Sequence, residues 1–287
     1  MKFIIRMKGG SGSGNFGHRG REGEVGGSVA EGRSQQRSGM INKIRNLQLM
    51  DENSAGYAKK IDDIVSGLGL SNNDIHKVSK SDIPFVLEAI ARFPKSDLDV
   101  VWETYDTDDM ADRLEQMAME DGEDIDAYYS AAGIGRLNGD VYEINLHTMT
   151  DNEWISGLSL PNVMHNKAGT MVSVAAHEYA HSMDVYDKYS GTSIWYDAIK
   201  QSKTVSSYGN TNPKENFAES MALMAIRPAF FRKGYPVLYA AIRDLTGWDP
   251  ADYSGEYKEY VGQSFDSIVP FREFIVTSSG YHLQLLK

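Results

Sequence analysis

The chain of 287 residues carries 40 acidic and 29 basic side chains, a formal net charge of −11, which argues against a nucleic-acid-binding body. It contains no cysteine, so disulfides, thiolate metal sites and cysteine nucleophiles are excluded, and any metal must be held by His, Asp or Glu. No apolar run approaches the roughly 18 residues of a membrane span, and the apolar core of "MKFIIRMKGG" is too short for a signal peptide.

Residues 1–40 are rich in Gly, Ser, Arg and Glu and basic in balance, a composition that buries too little apolar surface to offset its ordering entropy. They predict a flexible tail, with His18 a solvated residue in it. From Met40 to about Gly122 the pattern reads as helical. In "AGYAKKIDDIVSGLGL" Tyr57, Ile61, Ile64 and Val65 form one stripe that ends in glycines. In "SKSDIPFVLEAIARF" Ser79 or Ser81 stands as a cap before Ile83, Val86, Leu87 and Ile90. "DDMADRLEQMAME" continues with Met110, Leu114 and Met117, and its acidic cluster from Asp106 to Asp112 reads as a solvated helix start.

The period then changes. "AYYSAAGIGRLNGDVYEINLH" predicts two short strands joined through Asn138-Gly139, with Tyr142, Ile144 and Leu146 alternating with Val141, Glu143 and Asn145. The next stretch reads as loop, and His147 and His165 beside it as hydrogen-bonded histidines. Further helices are expected in "SGTSIWYDAIKQSK", "NPKENFAESMALMAI" and "PVLYAAIRDLTG", whereas Trp248 to Lys287 shows no clear pattern. The organisation expected is a tail (1–40), a helical region packed on the core (41–125), the core (126–250) and a C-terminal extension (251–287).

Chemistry concentrates in "VSVAAHEYAHSMDVYDK". His177 and His181 stand at i and i+4, neighbours on one helix face, and offer two imidazoles to one metal ion. Glu178 lies about 100° further round and borders the site without ligating, as a base for a bound water would. Ala175, Ala176 and Ala180 let other elements approach closely. Two residues compete as third ligand. Asp187 follows His181 at the metzincin spacing, but Asp184 stands where such sites turn on a glycine. Glu215 would project from the first turn of a helix capped by Asn212 with Pro213 at its start, and Glu219 from the next turn on the same face. Two glutamates aimed into a packed interior are costly unless they are paired or metal-bound.

"AAHEYAHSMD" together with "SYGNTNPKENFAESMALM" resembles the lethal-factor-like zinc metallopeptidases, a family that includes the Pro-Pro endopeptidases. Its Tyr-Gly-x-Thr-Asn-x-x-Glu-x-Phe-Ala-Glu run is matched from Tyr208 to Glu219, and the likeness extends over about Tyr128 to Gly247. The resemblance implies an α+β fold of zincin type, mostly helical, with a small β-hairpin before the zinc helix. It makes His177, His181 and Glu215 the ligands of a Zn2+ ion and Glu178 the general base. It also makes Tyr208 the hydroxyl that stabilises the oxyanion and Glu219 the carboxylate behind a ligating histidine. Zincins commonly present an edge strand to the substrate, which points to the Val141–Leu146 strand, with Val141, Glu143 and Asn145, as the place where a peptide adds.

"SGNFGHRGREGEVGGS" in the tail is similar to a glycine-rich segment of phage head-morphogenesis proteins. It implies a phage or prophage origin and association with phage particle or head proteins; the compartment stays open, with the host cytoplasm or a virion expected where no signal peptide is read. The function expected is therefore a zinc-dependent endopeptidase acting on a protein or peptide, with no membrane partner. Two alternatives stand beside it. One is a virion-associated binding protein whose structural zinc is closed by Asp187 or His165; the other is a delivered toxin with the same chemistry.

Overall fold

A computed structural model describes residues 39–71, 74–121, 132–148, 167–250, 272–277 and 280–285. The expected tail up to residue 38, His18, His165 and the loop over 149–166 lie outside them. The fold is α+β and rich in helix, with one small sheet at its centre.

Helix α1 spans 39–48 and buries Ile41, Ile44 and Leu47. In α2 (Ala55–Leu68) the expected stripe is present, and Gly69 closes the helix in the left-handed conformation at φ 72°. Helix α3 (Ile83–Arg92) starts later than the serines suggest. Asp82 occupies the cap position, and Ser79 Oγ serves it by donating to its carboxylate at 2.7 Å.

Strand β1 (Asp99–Tyr105) interrupts the stretch expected to be wholly helical. After α4 (Thr107–Asp121) come β2 (Gly133–Asn138) and β3 (Val141–His147), turning at Gly139 with φ 63° as the Asn-Gly pair predicts. The sheet order is β1-β3-β2, with β1 parallel and β2 antiparallel to β3. Strand β3 is therefore the central strand and not the edge expected for it; its main chain pairs on both sides. The outer strands are β1, which Lys77 bridges at Glu103, and β2.

The two sheet faces differ. Val100, Trp102, Tyr142, Ile144 and Leu146 belong to the main core, whereas Ile134 packs with Met110, Leu114, Met117 and Ala118 of α4 in a small second cluster. Over the first face lies α5 (Lys167–Met183), flanked by α3 and by α7 (Pro213–Ile226). Helix α6 (Ser193–Gln201), α8 (Pro228–Gly234) and α9 (Pro236–Thr246) complete the layer, and α9 ends at Gly247 with φ 67°. Tyr179 of α5 packs on Phe93 and Trp102, with ring centroids 5.3 and 6.1 Å away. Trp248 stacks on Phe93 at 5.5 Å, so the chain beyond α9 joins the same core as α1–α3. In the stretch that the sequence leaves unplaced, β4 (Arg272–Thr277) and β5 (Gly280–Leu285) pair as an antiparallel hairpin.

Candidate metal centre

Helix α5 is buried on every side from Met171 to Ser182, and α7 from Glu215 to Ile226. Polar side chains on such helices are almost wholly shielded from solvent, so each is stabilised by a partner within the site. Ala175, Ala176 and Ala180, all fully buried, leave room for α3 and α7 to approach. Helix α7 begins as its sequence predicts: Asn212 Oδ1 accepts from Lys214 N and Glu215 N, both at 3.0 Å, with Pro213 in the first turn. That start directs Glu215 and Glu219, one turn apart, at the histidine face of α5.

His177, His181 and Glu215 meet there. His177 Nε2 and His181 Nε2 are 3.0 Å apart, and Glu215 Oε2 lies 3.1 Å from the first and 3.2 Å from the second. Glu219 Oε1 stands 2.8 Å from His177 Nδ1. An ionised carboxylate can only accept, so His177 carries its proton on Nδ1 and turns the lone pair of Nε2 into the triangle. Ligand atoms about 2.0–2.2 Å from a tetrahedral ion lie roughly 3.3 Å from one another, close to the spacing of these three donors. The buried His/His/Glu group fits a metal ion.

Charge points the same way. Glu178, Glu215 and Glu219 are all at most 2% exposed, and the two imidazoles nearby are neutral when they ligate. Uncompensated, such a cluster of carboxylates is strongly unfavourable, and a divalent cation at the triangle offsets most of it. Neither carboxylate oxygen of Glu178 has a hydrogen-bond partner of good geometry among the described residues. Burial pushes its carboxyl above the usual range, while His177, His181 and the nearby Gly135 amide pull the other way. Burial also raises the Tyr208 hydroxyl far above its usual value, with the surrounding carboxylates adding to the effect, so it stays a neutral donor. That hydroxyl bonds to Glu215, and the Tyr208 ring lies 5.7 Å from His177. Its short 3-10 turn, Tyr208–Asn210, is tied to α7 by Asn216 Nδ2, which donates to Gly209 O at 3.0 Å.

Asp187 is not part of the group. It sits in the turn after α5, about half exposed, and pairs with Lys214 Nζ at 2.7 Å. The chain reverses here without the expected glycine. Tyr186 and Asp187 take positive φ values of 62° and 57°, while Asp184 Oδ1 accepts from Tyr189 N and Ser190 N at 2.7 and 2.9 Å. His147, at the end of β3, also lies outside the group.

Val141, Glu143 and Asn145, expected to bind substrate, lie on the face of β3 turned away from α5. Side chains alternate along a strand, and it is Tyr142, Ile144 and Leu146 that face the core beneath α5. The other set faces α4. Glu143 is held there by Arg136 Nε at 3.0 Å and Asn138 Nδ2 at 2.8 Å, and Asn145 Oδ1 accepts from Arg113 Nε at 3.3 Å. Residues that sequence reasoning missed are Gly133 and Gly135 of β2, on the α5 side. Their signal is the Gly-x-Gly spacing at strand period in "AAGIGRLNG".

Glu219→Ala is expected to keep the fold and weaken metal binding about 10- to 100-fold, the usual cost of losing the carboxylate behind a ligating histidine. Competition with a chelator of known affinity measures it. Comparisons of the chain with protein-family models, with curated proteins and with solved structures return no match.

Proposed function

We propose that this chain is a zinc-dependent endopeptidase of zincin type, as the resemblance of its two motifs to the lethal-factor-like metallopeptidases implies. The observation that carries the reading is the triangle of His177, His181 and Glu215 donors with the buried Glu178, whose carboxylate has no hydrogen-bond partner of good geometry among the described residues. Two imidazoles and a carboxylate suit zinc, and three protein donors among the described residues agree with a reactive rather than a closed site. When bound there, zinc supplies the Lewis acidity that brings water within reach of deprotonation near neutral pH.

The chain's own residues do the rest. Glu178 accepts a proton as the water oxygen bonds to the peptide carbonyl carbon and the carbonyl electron pair moves onto oxygen. Tyr208, neutral and beside Glu215, donates to that oxyanion. The C–N bond then breaks as the Glu178 proton passes to the amine nitrogen, and the new carboxylic acid gives up its remaining proton, leaving a carboxylate and an ammonium group. Among the described residues β2 pairs only with β3, so its outer edge is where an extended peptide adds as a further strand.

Tyr208→Phe is expected to leave metal content unchanged and to lower kcat more than it changes KM, because the hydroxyl matters most once the oxyanion forms. An unaltered kcat would reduce Tyr208 to a packing residue. The proposal as a whole is tested on an unfolded protein substrate with the chain carrying one zinc. Cleavage that is lost on chelation and restored by zinc supports it, and zinc-loaded protein that cleaves nothing overturns it.

A further inference from the structure

The face of β2 that looks at α5 carries no side chain at two successive positions, Gly133 and Gly135. Their φ values are not in the left-handed region, so backbone conformation does not demand glycine at either one. The demand comes from their neighbours. A Cβ on Gly135 would stand 2.5 Å from the hydroxyl of the fully buried Tyr142, which fills the space under the strand. A Cβ on Gly133 would stand 2.8 Å from Val174 Cγ1, 3.0 Å from Leu146 Cδ2 and 3.1 Å from Glu178 Cγ. Val174 and Glu178 are one turn apart on α5, so the bare strand lies along the helix edge from which Glu178 projects. Among the described residues Glu178 has no hydrogen bond of good geometry, and with only the Gly135 amide drawing on its carboxylate, packing of the stem carries much of its placement.

We propose that Gly133 is a positioning residue for Glu178: the absence of a side chain there seats the glutamate's methylene stem against β2 and aims its carboxylate at the metal group. The inference rests on Glu178 being the base of the proposed reaction, and it goes beyond that reading in naming what holds the base. Gly133 has no side chain to offer a metal ligand or a substrate, and filling its position acts through Glu178. Close packing of strand on helix is the competing account of the same glycine, and it works through Val174, the nearest atom. The two accounts separate because Val174→Ala removes the tightest packing contact, while Leu146 meets the added methyl only with the far end of a side chain that can shift, and the contact with Glu178 remains.

The test uses Gly133→Ala, Val174→Ala and the double variant, each loaded with cobalt(II). Acetohydroxamate is titrated in and followed by visible absorption, because a chelating hydroxamic acid passes its proton to an adjacent carboxylate. The cobalt spectrum before titration is expected to match wild type in all three, since the ligands are undisturbed. Acetohydroxamate affinity should fall about 10-fold in Gly133→Ala and stay low in the double variant, approaching that of Glu178→Gln, as misplacement of a reacting group by a fraction of an ångström implies. Peptide hydrolysis should lose kcat by a similar factor with KM within about two-fold. Restoration of acetohydroxamate affinity in the double variant, or wild-type affinity in Gly133→Ala, would overturn the proposal. A wild-type chain that cleaves no peptide but shows the same affinity pattern would sink the endopeptidase reading and leave the seat for Glu178 standing.

Discussion

Glu215→Ala is expected to strip the metal from the protein and abolish hydrolysis, while Asp187→Ala does neither. Among the described residues Glu215 Oε2 is the carboxylate oxygen that lies 3.1–3.2 Å from both imidazole nitrogens, and its removal leaves two imidazoles to hold an ion. The loss should exceed the roughly 10- to 100-fold that an outer partner costs. Asp187, by contrast, is about half exposed and bonded to Lys214, a surface pair worth about 0–1 kcal/mol. Metal content after dialysis against a weak chelator, read by elemental analysis, separates the two variants. Retention by Glu215→Ala with loss from Asp187→Ala would move the site to a metzincin-like arrangement and end the likeness to the lethal-factor family.

Glu178→Gln should behave in the opposite way: full metal content, with hydrolysis reduced by at least about 10², the contribution of a positioned general base. Its expected effect on stability follows from burial. Both carboxylate oxygens are buried without a hydrogen-bond partner of good geometry, and the neutral amide has nearly the same shape and removes a buried charge. The thermal midpoint of the metal-loaded variant should therefore not fall. A variant that loses its metal would instead make Glu178 a ligand.

The parts of this molecule legible in the sequence are those with local causes. Helix α2 shows its stripe and its closing glycine, α9 its closing glycine, and α7 its Asn-Pro start. Neither α5 nor α7 has an apolar stripe, because both are buried all round; motif spacing and cap chemistry give them away. The same spacing brings His177 and His181 together, and the Asn212 cap sets the phase that delivers Glu215 and Glu219 to them.

What the sequence hides depends on distant pairing. Strand β1 has its own alternation in Val100 and Trp102, but it lies in an acidic stretch between helices. Its partner β3 begins some forty residues further on, and nothing local announces a parallel pair. The order β1-β3-β2 makes β3 central, a fact invisible in the hairpin itself, which leaves either strand free to be the edge. The face on which Val141, Glu143 and Asn145 lie is hidden for a related reason. Alternation says that the two sets of side chains part, but which set meets α5 is decided by where α4 and α5 pack. Gly133 offers no more in the sequence than its Gly-x-Gly spacing with Gly135, and its role shows only where Val174 and Glu178 stand against it.

The most direct test of the central claim is mass-spectrometric mapping of new amino termini in a proteome-derived peptide library. The library is incubated with zinc-loaded chain and, in parallel, with Glu178→Gln of equal zinc content. The structure and the motifs predict a defined set of cleavages around a shared sequence context, present with the first and absent with the second. The same cleavages produced by both proteins, or none produced by the zinc-loaded wild-type chain, would contradict the assignment of a peptide-hydrolysing centre to His177, His181, Glu215 and Glu178.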